Sequence, residues 1–154
     1  MKHLCFRLVV GALLGTVGLA ATAQSAGAAA GPQTPGVLCG PGFRVVDSDP
    51  IRRTDTGQVI GKVHLLFDEV TGQACGVTVK SAYLGAVTRA GVYLSPEGAQ
   101  SVASDGPRLV YAGPVRAPAR GRCVLWGGLL ADPAGTVFLH ERANAAVGGI
   151  VTCF

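Results

Sequence analysis

Two histidines past residue 23, His64 and His140, are the side chains best placed to move a proton near neutral pH. A hydrolase built on either would need a nucleophilic serine beside the ring and an acid to orient it. Ser48, between Asp47 and Asp49, is the nearest candidate, and no Gly-x-Ser-x-Gly elbow occurs. His64 alternates with Val63 and Leu65, so on a strand it faces solvent if they face the core. A small secreted hydrolase is accordingly the third-ranked reading, and the sequence assigns no catalytic residue.

The carboxylates give no stronger signal. Asp47 and Asp49 could offer oxygens to calcium, but Pro50 and Ile51 follow where a calcium loop would continue, so a solvated strand end is expected. Asp68 and Glu69 are adjacent, and on a strand they would point to opposite faces, which is wrong for flanking one glycosidic bond. They read as turn residues. Gly40-Pro41-Gly42 lacks the Gly-Lys-Ser/Thr continuation of a phosphate loop and reads as a tight entry into a first strand. No metal site and no cofactor are expected.

Trp126, the chain's single tryptophan, with Gly127 and Gly128 behind it, is the one possible binding surface. An aromatic platform beside exposed backbone could take a sugar or a peptide. Against this, an indole near Cys123 is expected in the core, with the glycines making a bend or bulge. The same holds for Tyr83, Tyr93 and Tyr111, since one strand face is normally solvated.

Cys39, Cys75, Cys123 and Cys153 show neither C-x-x-C nor zinc-knuckle spacing. Their meaning depends on the compartment, and the first 23 residues speak to that. Lys2, His3 and Arg7 precede an apolar run from Leu8 to Ala20, which closes on Ala21-Thr22-Ala23 before Gln24. This is the grammar of a cleaved secretory signal peptide, and the run is too short to span a bilayer. Cys5 leaves with it. The remaining four cysteines are then expected to form two structural disulfides. Three pairings are open; the sequence-neighbour pairing, Cys39–Cys75 with Cys123–Cys153, closes the shortest loops.

Charge excludes some partners. The chain carries 13 Lys and Arg against 9 Asp and Glu, and Lys2 and Arg7 lie in the leader, so 11 basic residues remain against 9 acids. That balance argues for neither nucleic acid nor an anionic membrane surface. Residues 24–38 are mostly Ala, Gly and Pro without charge and read as a flexible lead-in. Residues 39–154 are left as one disulfide-stabilised domain.

The elements that must position these groups repeat with period two. Val63, Leu65 and Phe67 alternate with Lys62, His64 and Leu66, and Val77 and Val79 with Thr78 and Lys80. Asp68 to Gln73 supplies the turn between them, with Gly72 the residue most able to take positive φ. Further short apolar runs lie at 43–46, 92–94, 109–115, 123–126 and 136–139. Pro96-Glu97-Gly98, Asp105-Gly106-Pro107 and Asp132-Pro133-Ala134-Gly135 read as breaks between them. About seven short strands predict a small antiparallel β-sandwich or barrel, an all-β fold. The one predicted helix is short, Glu141–Val147, ended by Gly148 and Gly149.

Several of these blocks together resemble the spore-associated protein A family, small secreted proteins of filamentous spore-forming bacteria. They are CGPGFRVVDS at 39–48, GKVHLLF at 61–67, TGQACGVTVK at 71–80, YAGPV at 111–115 and CVLWGG at 123–128. The chain departs from the family at Ala74, where asparagine is common, and over Gly149–Phe154, where the family carries an aromatic residue and a histidine near its last cysteine. The resemblance implies a secreted protein of the spore or cell surface, with spore or cell-envelope components as partners. It implies no catalytic residue. The expected function is therefore non-catalytic surface association. A secreted inhibitor or antimicrobial domain is the alternative, with the turn-rich 95–108 segment as its presented loop.

Overall fold

The computed structural model describes residues 33–144, 146 and 148–154. The predicted signal peptide, residues 1–23, and the first part of the lead-in lie outside the described residues. A short helix, α1 (Pro35–Cys39), comes first. Nine strands follow: β1 (Arg44–Arg52), β2 (Val59–Asp68), β3 (Gln73–Lys80), β4 (Thr88–Pro96), β5 (Val102–Arg108), β6 (Tyr111–Pro118), β7 (Cys123–Ala131), β8 (Val137–Leu139) and β9 (Ile150–Cys153). They form two antiparallel sheets, an open sandwich. One sheet runs β1-β2-β3-β6; the other runs β5-β4-β7-β8, with β9 also paired to β7.

The alternating pattern of β2 does what period two demands. Val63 and Leu65 point between the sheets and are fully buried, packing with Val92 and Leu94 of β4 and Val124, Trp126 and Leu130 of β7. On β3 it is Thr78 rather than its apolar neighbours that faces this interior, since it pairs with Val63 in register. Its hydroxyl donates to the Gly91 carbonyl at 2.8 Å, which satisfies the one polar group it brings inside.

The hairpin joining β2 and β3 has the predicted turn. Asp68 organises it, with Oδ1 accepting from the Val70 N–H at 2.9 Å and Oδ2 from the Thr71 hydroxyl at 2.8 Å. Gly72 takes φ +70°. The turn at Asp132 likewise closes, with the Gly135 N–H donating to the Asp132 carbonyl at 3.0 Å and the Thr136 N–H to its Oδ1 at 2.9 Å.

The outer face of the β1-β2-β3-β6 sheet is not simply solvated. Leu66, Cys75 and Val77 are buried there together with Cys39, beneath Leu38 and Phe43. The cover is α1, held down by the Cys39–Cys75 disulfide. Thr34 caps the helix and Pro35 opens it, which suits a first turn whose N–H groups have no intrahelical partner. Thus the end of the segment read as lead-in is ordered structure. The second disulfide joins Cys123 to Cys153, directly opposite one another in the β7–β9 ladder. Both pairs are those of the sequence-neighbour pairing.

Four sequence expectations need correction. There are nine strands rather than about seven, because β5 and β9 are added. Asp105-Gly106-Pro107 does not break the chain but lies within β5; this is an edge strand, where a proline without an N–H leaves no interior ladder unpaired. The supposed 95–108 loop is for that reason a hairpin whose connection is only 97–101. Over 141–149 the described residues form turns, and the predicted Glu141–Val147 helix is not formed by them.

Candidate functional site

β1 sends adjacent residues to opposite sides, and this divides the predicted chemistry in two. Ser48 sits opposite His64 in the β1–β2 register, on the outer face of its sheet. No hydrogen bond joins them, and the His64 Nδ1 is buried without a partner. The ring is half-buried rather than solvent-facing, because α1 and its neighbours build up that face. Burial first, and then the nearby Lys62 charge, hold His64 below the ordinary histidine range. The acids needed to orient it, Asp47 and Asp49, lie on the other face of β1.

There they meet the other histidine. His140, just after β8, forms an isolated bridge with Ile51 of β1, and its Nδ1 lies 3.1 Å from Asp49 Oδ2. Both side chains are almost completely buried, 1% and 4% exposed. Arg142 fixes the carboxylate from the far side. Its backbone N–H donates to Asp49 Oδ2 at 2.7 Å and its Nε to Oδ1 at 2.8 Å, while its Nη groups grip Asp47 at 2.8 and 3.1 Å. Burial pushes the Asp49 carboxyl upward, but the donors of Arg142 and His140 outweigh it and leave the group below its usual value.

Asp47 and Asp49 are therefore neither a solvated strand end nor a calcium loop. They are the anionic half of an arginine clamp, and being two apart on a strand places both on one side. Among the described residues no group of three His, Cys, Asp or Glu side chains is arranged to hold a metal ion.

The ionised Asp49 fixes the His140 tautomer by hydrogen bonding. The ring presents Nδ1–H to the carboxylate, and Nε2 is on the far side of the ring. That nitrogen is buried and has no protein partner. A buried polar atom left unmatched costs about 1–3 kcal/mol. His140 is at one end of a pocket of about 120 Å³ on the outer face of the β5-β4-β7-β8 sheet, with Tyr93 and Gly148 beside it. Leu129 and Leu139 form apolar walls and Asp105 lies at the rim, paired with Arg89.

Of the Trp126–Gly128 segment, Gly128 lines this pocket and the indole does not. Trp126 is 1% exposed and belongs to the core, its Nε1–H donating to the Thr152 hydroxyl at 2.9 Å. The Arg142 guanidinium lies 5.9 Å from its ring centroid, so the arginine that clamps Asp49 also covers the indole. Gly127 pairs with Tyr93 in register, and a Cβ there would stand 2.6 Å from His140 Nε2 and 2.8 Å from the Tyr93 hydroxyl oxygen. A side chain at 127 would clash with both, so only glycine lets Tyr93 and His140 lie this close to β7. Gly128 instead permits close approach on the inner side, where a Cβ would run into Thr78 and Val63.

Two further polar knots are closed. Arg53 donates to Asp55, Tyr83 and Asp132 and lies over the Phe138 ring, and Lys80 donates to the Ala86 carbonyl at 2.9 Å. Sequence reasoning had named His140, Asp49 and Tyr93 one by one without joining them, and had passed over Arg142. Ninety-one positions separate Asp49 from His140, and no local spacing rule connects them.

Spore-associated protein A of Streptomyces coelicolor is 37% identical to this chain over 131 residues, covering 80% of each. No family model matches the chain. No solved structure matches it.

Proposed function

This chain belongs to the spore-associated protein A family, and from that membership we propose that it is a secreted protein of the spore surface that acts by binding rather than catalysis. The observation that carries the reading is the similarity to a relative named for its association with spores, extending over 80% of both chains. Two disulfides support it, since such bridges form and persist in oxidising compartments outside the cytosol. The leader grammar of residues 1–23 points the same way. Non-catalytic action is supported by the separation of parts on β1: Ser48 lies with His64, Asp49 with His140, and neither histidine hydrogen-bonds a serine among the described residues.

The test is intact-mass spectrometry of proteins washed from spores of the producing organism, alongside those in its culture medium. The expected species starts at Gln24, is lighter than the reduced chain by four hydrogens, and is enriched on spores. The same species confined to the medium would overturn surface association and turn the assignment toward a diffusible inhibitor or antimicrobial. A species retaining residues 1–23 would overturn signal cleavage.

A further inference from the structure

Strand alternation puts the Cys123–Cys153 bond on the solvent side of its sheet, where a disulfide has a chemistry open to it beyond spore association. Val124 and Trp126 turn into the core, so Cys123 falls on the outer face with Leu125. Its register partner Cys153 falls there with Val151, which is 56% exposed. Cys153 is itself exposed and Cys123 half-buried. Cys39 and Cys75, by contrast, are 1% and 0% exposed and lie beneath Leu38 and Phe43. A thiol arriving from solution therefore meets Cys153 first.

Opening this bond leaves β9 seated. The Trp126 Nε1–H donates to the Thr152 hydroxyl at 2.9 Å, and the Phe154 N–H donates to the Arg122 carbonyl at 3.0 Å. The Phe154 ring stacks on Phe67 with centroids 4.3 Å apart, and Ile150 packs against the core. None of these contacts passes through a cysteine side chain. A freed Cys123 thiol thus stays opposite Cys153, in position to attack it again. Access governs thiol–disulfide exchange, and exposed disulfides are the labile ones. Here access to one sulfur is combined with a partner thiol that the ladder holds in place.

We propose that Cys123–Cys153 is a reversible thiol-exchange site on the outer face of the sheet, with thiols as its substrate class, while Cys39–Cys75 is structural. A thiolate RS⁻ attacks Cys153 Sγ, forming an R–S–S–Cys153 bond. The Cys123–Cys153 bond breaks, and its electron pair leaves on Cys123 as a thiolate, which takes up a proton. Cys123 then either returns to Cys153 and expels RSH, or a second RS⁻ attacks the sulfur carried by R and releases RSSR. By the second route two RSH become RSSR, and two electrons and two protons pass to the protein, which holds two thiols. Each chain exchanges one bond, so the process is stoichiometric.

The experiment incubates the folded, disulfide-bonded protein with reduced glutathione, quenches with acid, and maps each cysteine by peptide mass spectrometry. Glutathione is expected on Cys153 with Cys123 as the free thiol, Cys39–Cys75 intact, and the near-ultraviolet circular dichroism retained. Oxidised glutathione added afterwards should restore the bond. Cys123→Ser removes the returning thiol, so glutathione loaded onto Cys153 from oxidised glutathione should persist after dilution, where the wild-type adduct is lost. If that variant does not fold, the wild-type map carries the test. An adduct mainly on Cys123, opening of Cys39–Cys75 in step with Cys123–Cys153, loss of the near-ultraviolet signal on opening, or no opening at all would overturn the proposal. The incubation is repeated with a folded protein carrying one surface cysteine. An intermolecular disulfide on a non-reducing gel would assign the site to protein thiols as well, and reaction with glutathione alone would assign it to small thiols.

Discussion

At the scale of single residues, His64 and Asp49 make opposite kinds of pH dependence, and both can be measured. His64 is held below the usual histidine value by burial and by Lys62, so the unfolded chain binds more protons than the folded one beneath about pH 6.5. Its contribution is intact above that value and lost as the pH falls through the folded one. Urea unfolding at about pH 7.5 and 5.5 should therefore show a drop in stability. His64→Gln should flatten that drop; an unaltered drop would place its origin in other groups. Asp49 is a depressed acid, so its stabilisation is present above its ordinary value near 4 and is lost as the pH falls through the folded value. Asp49→Ala strips Arg142 and His140 of their acceptor and should cost about 2–3 kcal/mol in the same assay near neutrality. A cost near zero would mean that Arg142 is satisfied by Asp47 alone.

At the scale of elements, the β2–β3 hairpin was open to reading because its signals are local. Apolar alternation, an Asp at the turn and a Gly where φ is +70° all fall within 62–80. Leu65→Ala should cost about 2–5 kcal/mol, as for any fully buried leucine. Leu66 tests what the alternation concealed. Period two sends it to the face that would be solvated, yet it is fully buried because α1 and the Cys39–Cys75 bridge lie over it. Leu66→Ala should accordingly lower the urea midpoint about as much as Leu65→Ala, and a neutral result would mean that α1 does not stay on the sheet. The same limit applies to β5 and to the candidate site. Gly106 and Pro107 carry breaker chemistry, and only the position of β5 at a sheet edge makes them tolerable in a strand. The Trp126–Gly128 motif was visible, but that Gly127 is packed under Tyr93 depends on the two being register partners. A pairing of that kind is a property of the assembled sheet.

At the scale of the whole molecule, the two disulfides stand in different surroundings. Cys39 and Cys75 are within 1% of complete burial, whereas Cys153 is exposed on β9. Mild thiol reductant without denaturant should open Cys123–Cys153 first, leaving Cys39–Cys75 intact until the domain unfolds. Differential alkylation followed by peptide mass mapping reads the order, and simultaneous labelling of all four cysteines would contradict it. Full reduction should lower stability by about 3–4 kcal/mol per bridge, whose loops span 36 and 30 positions. An unchanged melting curve would deny the bridges a structural role. Among the described residues no helix is long and apolar enough to cross a membrane.

The two disulfides are also consecutive along the chain and never interleaved: 39 with 75, then 123 with 153. For a polypeptide that emerges N-terminus first into an oxidising space, order of arrival selects the partners. β1, β2 and β3 can pair as soon as residue 80 is out, and Cys39 then meets Cys75 while neither later cysteine has yet appeared. Once that bond is sealed beneath α1, Cys123 has a single thiol left to find. Two of the three possible pairings are thus removed by timing, and correct oxidation needs no reshuffling step. Refolding of the full-length reduced chain loses that timing and should yield mispaired species that N-to-C emergence avoids.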